Sequence, residues 1–204
     1  MIKFTARSLA RIVVGTAAVA AVAVPSLATG HAEAAAGYTG RVTGQQGVNA
    51  RQAPSTHTAF KGTIAKGKQV AIWCKTTGTK VDGNSQWYLL SDHRWVSARY
   101  VANVGRIPAQ CPATSTNTAQ GQMTGNVNKR SGPSTADTKL GSYAKGTKVW
   151  FRCQVAGPSV DGNNRWYLTS DGKAWVSARY VKNLDSGPAT LRTPAPLLNS
   201  PALC

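Results

Sequence analysis

Apolar and polar residues alternate along two short stretches of the chain, and this period of two predicts β-strands. In residues 68–74, KQVAIWC, one face carries Val70, Ile72 and Cys74. Residues 147–153, TKVWFRC, repeat the alternation with valine, phenylalanine and cysteine on one face. Turn signals are frequent and no convincing amphipathic helix is present, so the pattern predicts an all-β chain of small antiparallel barrels.

The chain contains an internal repeat, with a first copy at 40–104 and a second copy at 121–184. The motifs PST, VDGN, WYL and WVSARYV recur in the same order in both copies, and VNAR in the first answers VNKR in the second. Two copies are too few for a solenoid, so the repeat predicts tandem domains. Residues 105–124, rich in Thr, Ala, Gln and Pro, are expected to form a linker, and residues 185–204 a proline-rich tail that ends in Cys204.

The N-terminal 36 residues have the pattern of a secretory signal peptide. Lys3, Arg7 and Arg11 precede an apolar run at 12–24, and small residues follow it. The alternative is a membrane anchor, but the run is shorter than the ~20 residues that a bilayer span needs. We therefore expect cleavage near residue 36, no membrane span after cleavage, and a protein that is secreted or associated with the cell wall.

The chain has four cysteines, an even number that favours disulfides in an extracellular protein. Four cysteines allow three pairings. The repeat favours Cys74 with Cys111 and Cys153 with Cys204, which is one strand cysteine and one later cysteine per copy. No C-x-x-C pair is present and no histidine lies near a cysteine in the sequence, so neither a metal nor a cofactor is expected.

Basic residues outnumber acidic ones by 24 to 7, which gives a formal net charge of +17 on 204 residues. Such a charge creates a positive field that attracts polyanions. Nucleic acid would respond to the same field, but the chain has no motif that reads bases, so a dedicated nucleic-acid function is not expected.

The carboxylates do not predict an enzyme. Four of them occupy matched positions in the two copies: Asp82, Asp92, Asp161 and Asp171. Each lies beside Gly, Asn or Ser in a turn signal, whereas a glycosidase needs two carboxyl groups facing one bond. His57 and His93 align with Ala136 and Gly172, so the copies share no histidine for a catalytic triad. We expect no catalytic residues.

Taken together and in order, these motifs resemble the bacterial SH3 domain, SH3b. The resemblance is carried by VNARQAPS at 48–55, VNKRSGPS at 127–134 and KGTKV at 145–149, and by the Trp-Tyr and Trp-Val…Tyr-Val pairs of each copy. It implies an SH3-like barrel of five to six strands. It also implies a module that attaches exported proteins to the cell envelope, often to peptidoglycan.

Six tryptophans are candidates for ligand contact. Four recur in both copies and would form either barrel core or a partly exposed binding groove: Trp87, Trp95, Trp166 and Trp175. Trp73 and Trp150 are specific to one copy and point away from the cysteine face. They are expected to be partly exposed, to lie between the barrels, or to contact a ligand.

Two repeated arginines and an Arg-Tyr pair in each copy complete the candidate site: Arg51, Arg130, Arg99, Tyr100, Arg179 and Tyr180. Each arginine could cover an aromatic ring or a backbone carbonyl, or could hold a carboxylate or phosphate of the wall.

The hypothesis from the sequence is a non-catalytic extracellular protein, expected to be a monomer, that binds the cell wall through two SH3b modules. Its partners would be peptidoglycan or teichoic-type polyanions. The alternatives are a secreted protein-interaction or inhibitor module and, third, a cell-wall hydrolase.

Overall fold

The computed structural model describes residues 37–111, 119–184 and 201–204. Within these residues each copy is a seven-stranded antiparallel sheet with one short 3-10 turn, at Ala98–Tyr100 and Ala178–Tyr180. The strands of the first copy are β1 (Tyr38–Val42), β2 (Val48–Arg51), β3 (Phe60–Ile64), β4 (Gln69–Val81), β5 (Asn84–Leu90), β6 (Trp95–Ser97) and β7 (Val101–Val104). Those of the second are β8 (Ala119–Met123), β9 (Val127–Arg130), β10 (Lys139–Tyr143), β11 (Lys148–Val160), β12 (Asn163–Thr169), β13 (Trp175–Ser177) and β14 (Val181–Leu184).

The two sheets have the same topology, which confirms the all-β fold class. The strand order is β3-β2-β6-β5-β4-β1-β7 in the first sheet and β10-β9-β13-β12-β11-β8-β14 in the second. Each sheet therefore has seven strands, more than the five to six that the resemblance implies, because β1 and β8 each pair with the last strand of their copy as well as with the long strand.

A tight hairpin joins the two longest strands of each copy. Asp82 and Gly83 have φ of 44° and 85°, and Asp161 and Gly162 have φ of 45° and 83°. Two consecutive left-handed residues define the type I′ turn that suits a two-residue hairpin, and Asp-Gly is one of the sequences that adopt it. The repeated VDGN motif therefore forms the hairpin turn in both copies.

Each copy encloses an apolar core of its own. The first core contains Val42, Val48, Ala50, Val70, Ile72, Tyr88, Leu90, Val96 and Val101. The second contains Met123, Val127, Phe151, Tyr167, Val176 and Ala178. Val70 and Ile72 are alternate residues of β4, as the alternation in the sequence predicts, and the other members of the first core come from β1, β2, β5, β6 and β7.

A third apolar cluster belongs to both copies. It contains Ala53, Cys74, Trp87, Leu89, Trp95 and Cys111 from the first copy, and Cys153, Val155, Trp166, Leu168 and Trp175 from the second. Strand β5 is buried on both faces, with Trp87 and Leu89 in this shared cluster and Tyr88 and Leu90 in the first core. The two copies consequently pack as one compact unit.

An irregularity in the long strands lies between the residues of these two cores. The pairing of β4 with β5 shifts register between Ile72 and Cys74, and β11 shifts at the equivalent place. Ile72 lies in the first core, whereas Cys74 lies in the shared cluster. Trp73 lies between them and is exposed. Because of the register shift, β4 contributes first to the core of its own barrel and then to the cluster shared with the other copy.

The disulfides join Cys74 to Cys111 and Cys153 to Cys204, the pairing that the repeat favours. Next to each bridge a short parallel contact forms, Lys75 with Gln110 and Gln154 with Leu203. A segment within the expected linker and the end of the expected tail are thus attached to β4 and β11.

A buried carboxylate links the two copies. The side chain of Asp137, in the second copy, is fully buried. Its Oδ1 accepts hydrogen bonds from Ser55 Oγ at 2.8 Å and Thr79 Oγ1 at 2.7 Å, and lies 2.7 Å from His57 Nδ1. All three partners belong to the first copy, so a single carboxylate oxygen satisfies three polar side chains at the contact.

The residue facing this carboxylate has to be small. A Cβ at Gly132 would lie 2.4 Å from Asp137 Oδ2 and 2.6 Å from Thr79 Oγ1. At the equivalent positions the first copy has Ala53 and Thr58, and the Thr58 hydroxyl donates to carbonyls within its own loop. The second copy therefore places a carboxylate against the first, but the first copy places none at the equivalent position against the second.

The expected signal peptide and most of the tail lie outside the described residues. Among residues 37–111, 119–184 and 201–204, no helix is long and apolar enough to cross a membrane.

Candidate functional site

A groove of about 580 Å³ opens on the first copy. Its lining residues come from the β1–β2 loop, from β2 and β3, and from the region around the 3-10 turn. They are Gly44, Gln45, Gln46, Gly47, Val48, Asn49, Arg51, Thr56, Thr63, Val81, Trp87, Ser97 and Tyr100. The polar groups of this lining are hydroxyls, amides and a guanidinium, and no carboxylate is part of it. The groove therefore suits a ligand rich in carbonyl, hydroxyl or anionic groups.

The β1–β2 loop forms one wall of the groove. Gly47 donates its N–H to the Gly44 carbonyl at 2.9 Å, and its φ of 84° lies in the left-handed region. A Cβ on Gly47 would lie 2.3 Å from the Ile64 carbonyl oxygen, so only glycine allows the loop to approach β3 this closely. The side chains of Gln45 and Gln46 remain exposed.

Arg51 lies on β2 and is held by two contacts. Its Nη1 donates to the Thr58 carbonyl at 3.0 Å, and its guanidinium carbon lies 5.9 Å from the centre of the Phe60 ring. The sequence left open whether this arginine covers a carbonyl and a ring or holds an anion. Both intramolecular contacts are present, and a guanidinium has five N–H donors, so further donors are available to a ligand.

Asn49 and Thr63 project from neighbouring strands on the open side of the groove. The Thr63 hydroxyl donates to Asn49 Oδ1 at 3.0 Å, and both side chains are exposed. The amide nitrogen of Asn49 can donate to a ligand while its oxygen stays paired with Thr63.

Tyr100 joins the groove to the hairpin tip, because its hydroxyl donates to Asp82 Oδ2. This hydrogen bond raises the pKa of Tyr100, with smaller contributions from burial and from the charge of Asp82. In the second copy the Tyr180 hydroxyl donates to Asp161 Oδ2 at 2.6 Å, and that bond raises the pKa of Tyr180 in the same way. Both phenols therefore remain neutral donors at physiological pH.

The second copy repeats most of the lining side chains. The equivalents of Asn49, Arg51, Thr63, Trp87 and Tyr100 are Asn128, Arg130, Ser142, Trp166 and Tyr180. Like Arg51, Arg130 donates to a backbone carbonyl, that of Asp137, at 2.8 Å. The difference is in the loop, where the first copy has TGQQGV and the second has TGNV. The first-copy loop is two residues longer and supplies a wall that the second-copy loop is too short to supply.

The four repeated tryptophans are buried to within 1–3% exposure. They lie in the shared cluster, where their indoles pack the two copies together rather than each barrel's own core. Trp175 Nε1 also donates to the Thr77 carbonyl across the contact at 2.9 Å. Trp87 contributes to the floor of the groove, whereas Trp95, Trp166 and Trp175 do not line it. Burial leaves these three side chains almost no surface for a ligand.

The remaining sequence candidates lie elsewhere on the surface. Trp73 and Trp150 are 38% and 44% exposed. Arg99 and Arg179 are exposed and cover the rings of the neighbouring Tyr100 and Tyr180 at 5.9 and 5.8 Å. None of these four side chains lines the groove.

The sequence analysis did not include Gln45, Gln46, Asn49 and Thr63 among the candidate site residues. A signal for the loop residues was present, because aligning the two copies leaves two unmatched residues between β1 and β2. Thr63 had no such signal, since it joins the groove only through the pairing of β2 with β3.

Ser55, His57 and Asp137 bring together the residue types of a catalytic triad, but not its geometry. Ser55 Oγ and His57 Nδ1 both contact the same carboxylate oxygen. A triad instead requires the histidine to accept the serine proton and the carboxylate to orient the histidine. The arrangement therefore serves packing. Among the described residues, no group of three or more His, Cys, Asp or Glu side chains could hold a metal ion.

No family model matches the chain, and no curated protein matches it. One similar solved structure is NlpC2 from Trichomonas vaginalis, which is 14% identical with a TM-score of 0.26. The match covers 74% of this chain and 51% of that one, so this chain spans about half the length of NlpC2. Another is the CBD of the endolysin LysPBC5, also 14% identical with a TM-score of 0.26, where 71% of this chain and 91% of that chain are covered.

Proposed function

We propose that this is an exported, non-catalytic protein that attaches to the cell wall, to peptidoglycan or to the anionic polymers bound to it. The groove of the first copy would be the principal binding site. The observation that carries the proposal is its lining: an amide, a guanidinium, hydroxyls and two glutamines, with no carboxylate. Such a surface can bind a sugar or peptide by hydrogen bonds but lacks an acid–base pair for cleaving it.

The net charge of +17 supports the same partner, because a positive field concentrates an anionic polymer near the protein. The two disulfides are consistent with an oxidising location outside the cytoplasm, as the signal-peptide pattern predicts. The second copy, with most of the same side chains but a shorter loop, would contribute a weaker contact and raise the affinity through local concentration.

Sedimentation with purified cell walls tests the proposal. The protein is mixed with walls, with and without their teichoic-type polymers, over a series of salt concentrations. We expect the protein to sediment with walls. If anionic polymers contribute to binding, rising salt should release more protein from walls that carry them than from walls that lack them. Equal amounts left in solution with and without walls would show that the proposal is wrong.

A pair of matched variants locates the contact. The double substitution Asn49→Ala/Thr63→Ala changes exposed side chains of the groove, and Asn128→Ala/Ser142→Ala changes their equivalents in the second copy. We expect the first pair to weaken wall binding about tenfold, as the loss of ligand hydrogen bonds worth ~0.5–1.5 kcal/mol each would do. The second pair should weaken it less. An equal effect of both pairs would contradict the role of the longer loop.

A further inference from the structure

Outside the groove, the first copy carries a right-angled aromatic corner formed by Trp73 and His93. The ring centres are 4.6 Å apart and the ring planes meet at 85°. Trp73 is 38% exposed, and His93 is exposed as well. Because the rings meet edge to face rather than stacking, part of the aromatic surface remains open to solvent.

The backbone of His93 adopts a strained conformation at this corner. His93 has φ of 64°, a left-handed conformation that side chains with a Cβ rarely adopt. The equivalent residue of the second copy is Gly172, with φ of 71°. The turn therefore needs a left-handed residue in both copies, and the first copy places a histidine where glycine is the relaxed choice.

The two halves of the corner differ together between the copies. Where the first copy has Trp73, the second has Arg152, whose Nη2 donates to the Ser170 carbonyl at 2.8 Å. A Cβ on Gly172 would lie 3.6 Å from the Arg152 guanidinium, so that arginine occupies the space beside the turn. The second copy fills the place with a structural hydrogen bond, whereas the first leaves an aromatic surface there.

The turn that carries His93 is well braced. The His93 N–H donates to the Leu90 carbonyl at 3.0 Å. Arg94 binds Asp92 Oδ2 through Nε at 2.9 Å and Nη2 at 2.6 Å, and its Nη1 donates to the Lys61 carbonyl at 3.2 Å. The imidazole is therefore held beside the indole instead of hanging from a loose loop, which lowers the cost of ordering it on binding.

We propose that Trp73 and His93 form a second ligand site, which binds a pyranose ring of the wall glycan. A pyranose has an apolar C–H face, which suits an aromatic surface, and hydroxyls at its rim, which an imidazole nitrogen can bind. An aromatic corner could also attract a cation, but a protein of net charge +17 repels cationic ligands. The choice of glycan rests on the proposed wall attachment; the site itself is separate from the groove.

Soluble chitotetraose, four β-1,4-linked N-acetylglucosamine units, is a suitable probe. The protein has six tryptophans, four of them buried, so iodide quenching reports on Trp73 and Trp150. In a Trp150→Phe background the reporter is the half-exposed indole of Trp73. We expect chitotetraose to protect that indole from iodide in a saturable manner.

The decisive variants exchange residues between copies. His93→Gly installs the residue of the second copy and relieves the left-handed strain, so the melting temperature should stay the same or rise. The affinity for chitotetraose, measured by calorimetry, should fall about tenfold. Trp73→Arg/His93→Gly should abolish binding, and Trp150→Ala should leave it unchanged. If the double exchange binds as tightly as the wild type, the inference is wrong.

The outcome is separable from that of the proposed function. If walls sediment the protein but chitotetraose leaves Trp73 quenching unchanged, the corner does not take a pyranose ring, although wall attachment stands. If the protein fails to sediment with walls but binds chitotetraose at Trp73, the glycan site stands and the proposed wall attachment fails. A double exchange that loses wall binding without any chitotetraose binding in the wild type would indicate another wall component and overturns the inference.

Discussion

The two copies are alike in what makes a barrel and different where they meet each other and the solvent. Both have the same strand order, the same Asp-Gly hairpin and the same tyrosine bound to its aspartate. Three of their differences bear on the surface and on the contact: the two-residue insertion beside the groove, the Trp73–His93 corner, and the contact where the second copy has Gly132 and Asp137 and the first has Ala53 and Thr58. The first copy thus carries the longer loop and the exposed aromatic pair, while the second carries the buried carboxylate that bonds side chains of the other copy.

The largest effect on this comparison should come from the shared cluster. Trp175 is 1% exposed, and its Nε1 bonds the other copy at Thr77. We expect Trp175→Ala to lower the free energy of unfolding by about 4–5 kcal/mol, because it leaves a cavity and an unpaired carbonyl. Urea unfolding measures the loss, and Trp150→Ala, at an exposed position, is the matched control with an effect below ~1 kcal/mol.

Both copies should unfold in one transition in the wild type and in Trp175→Ala, because the cluster belongs to both. If the variant instead shows two transitions, with the first copy as stable as in the wild type, then the copies are independent domains and the cluster is a weak contact.

The disulfides should come next, with nearly equal effects. Cys74–Cys111 joins residues 37 apart and Cys153–Cys204 joins residues 51 apart. The chain-entropy relation gives about 4 kcal/mol for each, with a difference of ~0.3 kcal/mol. We expect the double alanine variants at either pair to lower the urea midpoint of the whole protein by similar amounts. A shift confined to the signal of one copy would contradict the shared core.

The asymmetric contact should give an intermediate effect. Asp137→Thr installs the residue of the first copy and leaves Ser55 and Thr79 without the carboxylate. We expect a loss of about 2 kcal/mol, in line with a buried donor left unsatisfied. Thr58→Ser is a suitable control, since it keeps a hydroxyl within its own loop. An unchanged urea midpoint in Asp137→Thr would show that the carboxylate does not hold the copies together.

The smallest effect should be a difference in alkaline titration. The pKa of Tyr100 is raised by its hydrogen bond to Asp82, so the protonated phenol is favoured in the folded protein. A raised folded pKa means that this stabilisation is fully present below the unfolded pKa of about 10 and is lost as pH rises through the folded value. Asp82→Asn keeps a residue that tolerates the left-handed turn and removes the charge.

Absorbance titration of the phenols should therefore show Tyr100 ionising at lower pH in Asp82→Asn than in the wild type, with Tyr180 unchanged. The reciprocal variant, Asp161→Asn, should move Tyr180 alone. A shift of both tyrosines in either variant would mean that the two tethers are not independent.

Much of the fold could be predicted from the sequence because its signals are local. Alternation in residues 68–74 and 147–153 predicted the strands, VDGN predicted the turns, and the repeat made one cysteine pairing the favoured one. The shared cluster could not be predicted. An indole buried between barrels and one buried inside a barrel satisfy the same hydrophobic requirement, so Trp95 and Trp175 carry no mark of which partner they face.

The candidate site was predictable only in part, for the same reason. Arg51, Trp87 and Tyr100 stood out because they recur in both copies. The groove, however, depends on a difference between the copies, namely the loop with Gln45 and Gln46. Asp137 likewise reads as a surface substitution in a turn until the partner barrel is placed against it.

The shared cluster also affects how tightly the protein could bind a polymer. Two modules on a loose tether lose orientational freedom when both engage the same chain, and that loss subtracts from the gain of having two sites. Here that freedom is already lost during folding, because buried indoles, with the cysteines packed among them, hold the barrels against each other. A polymer whose repeat matches the fixed spacing of the two faces would be held without that penalty, and one with a different repeat would meet only one face at a time.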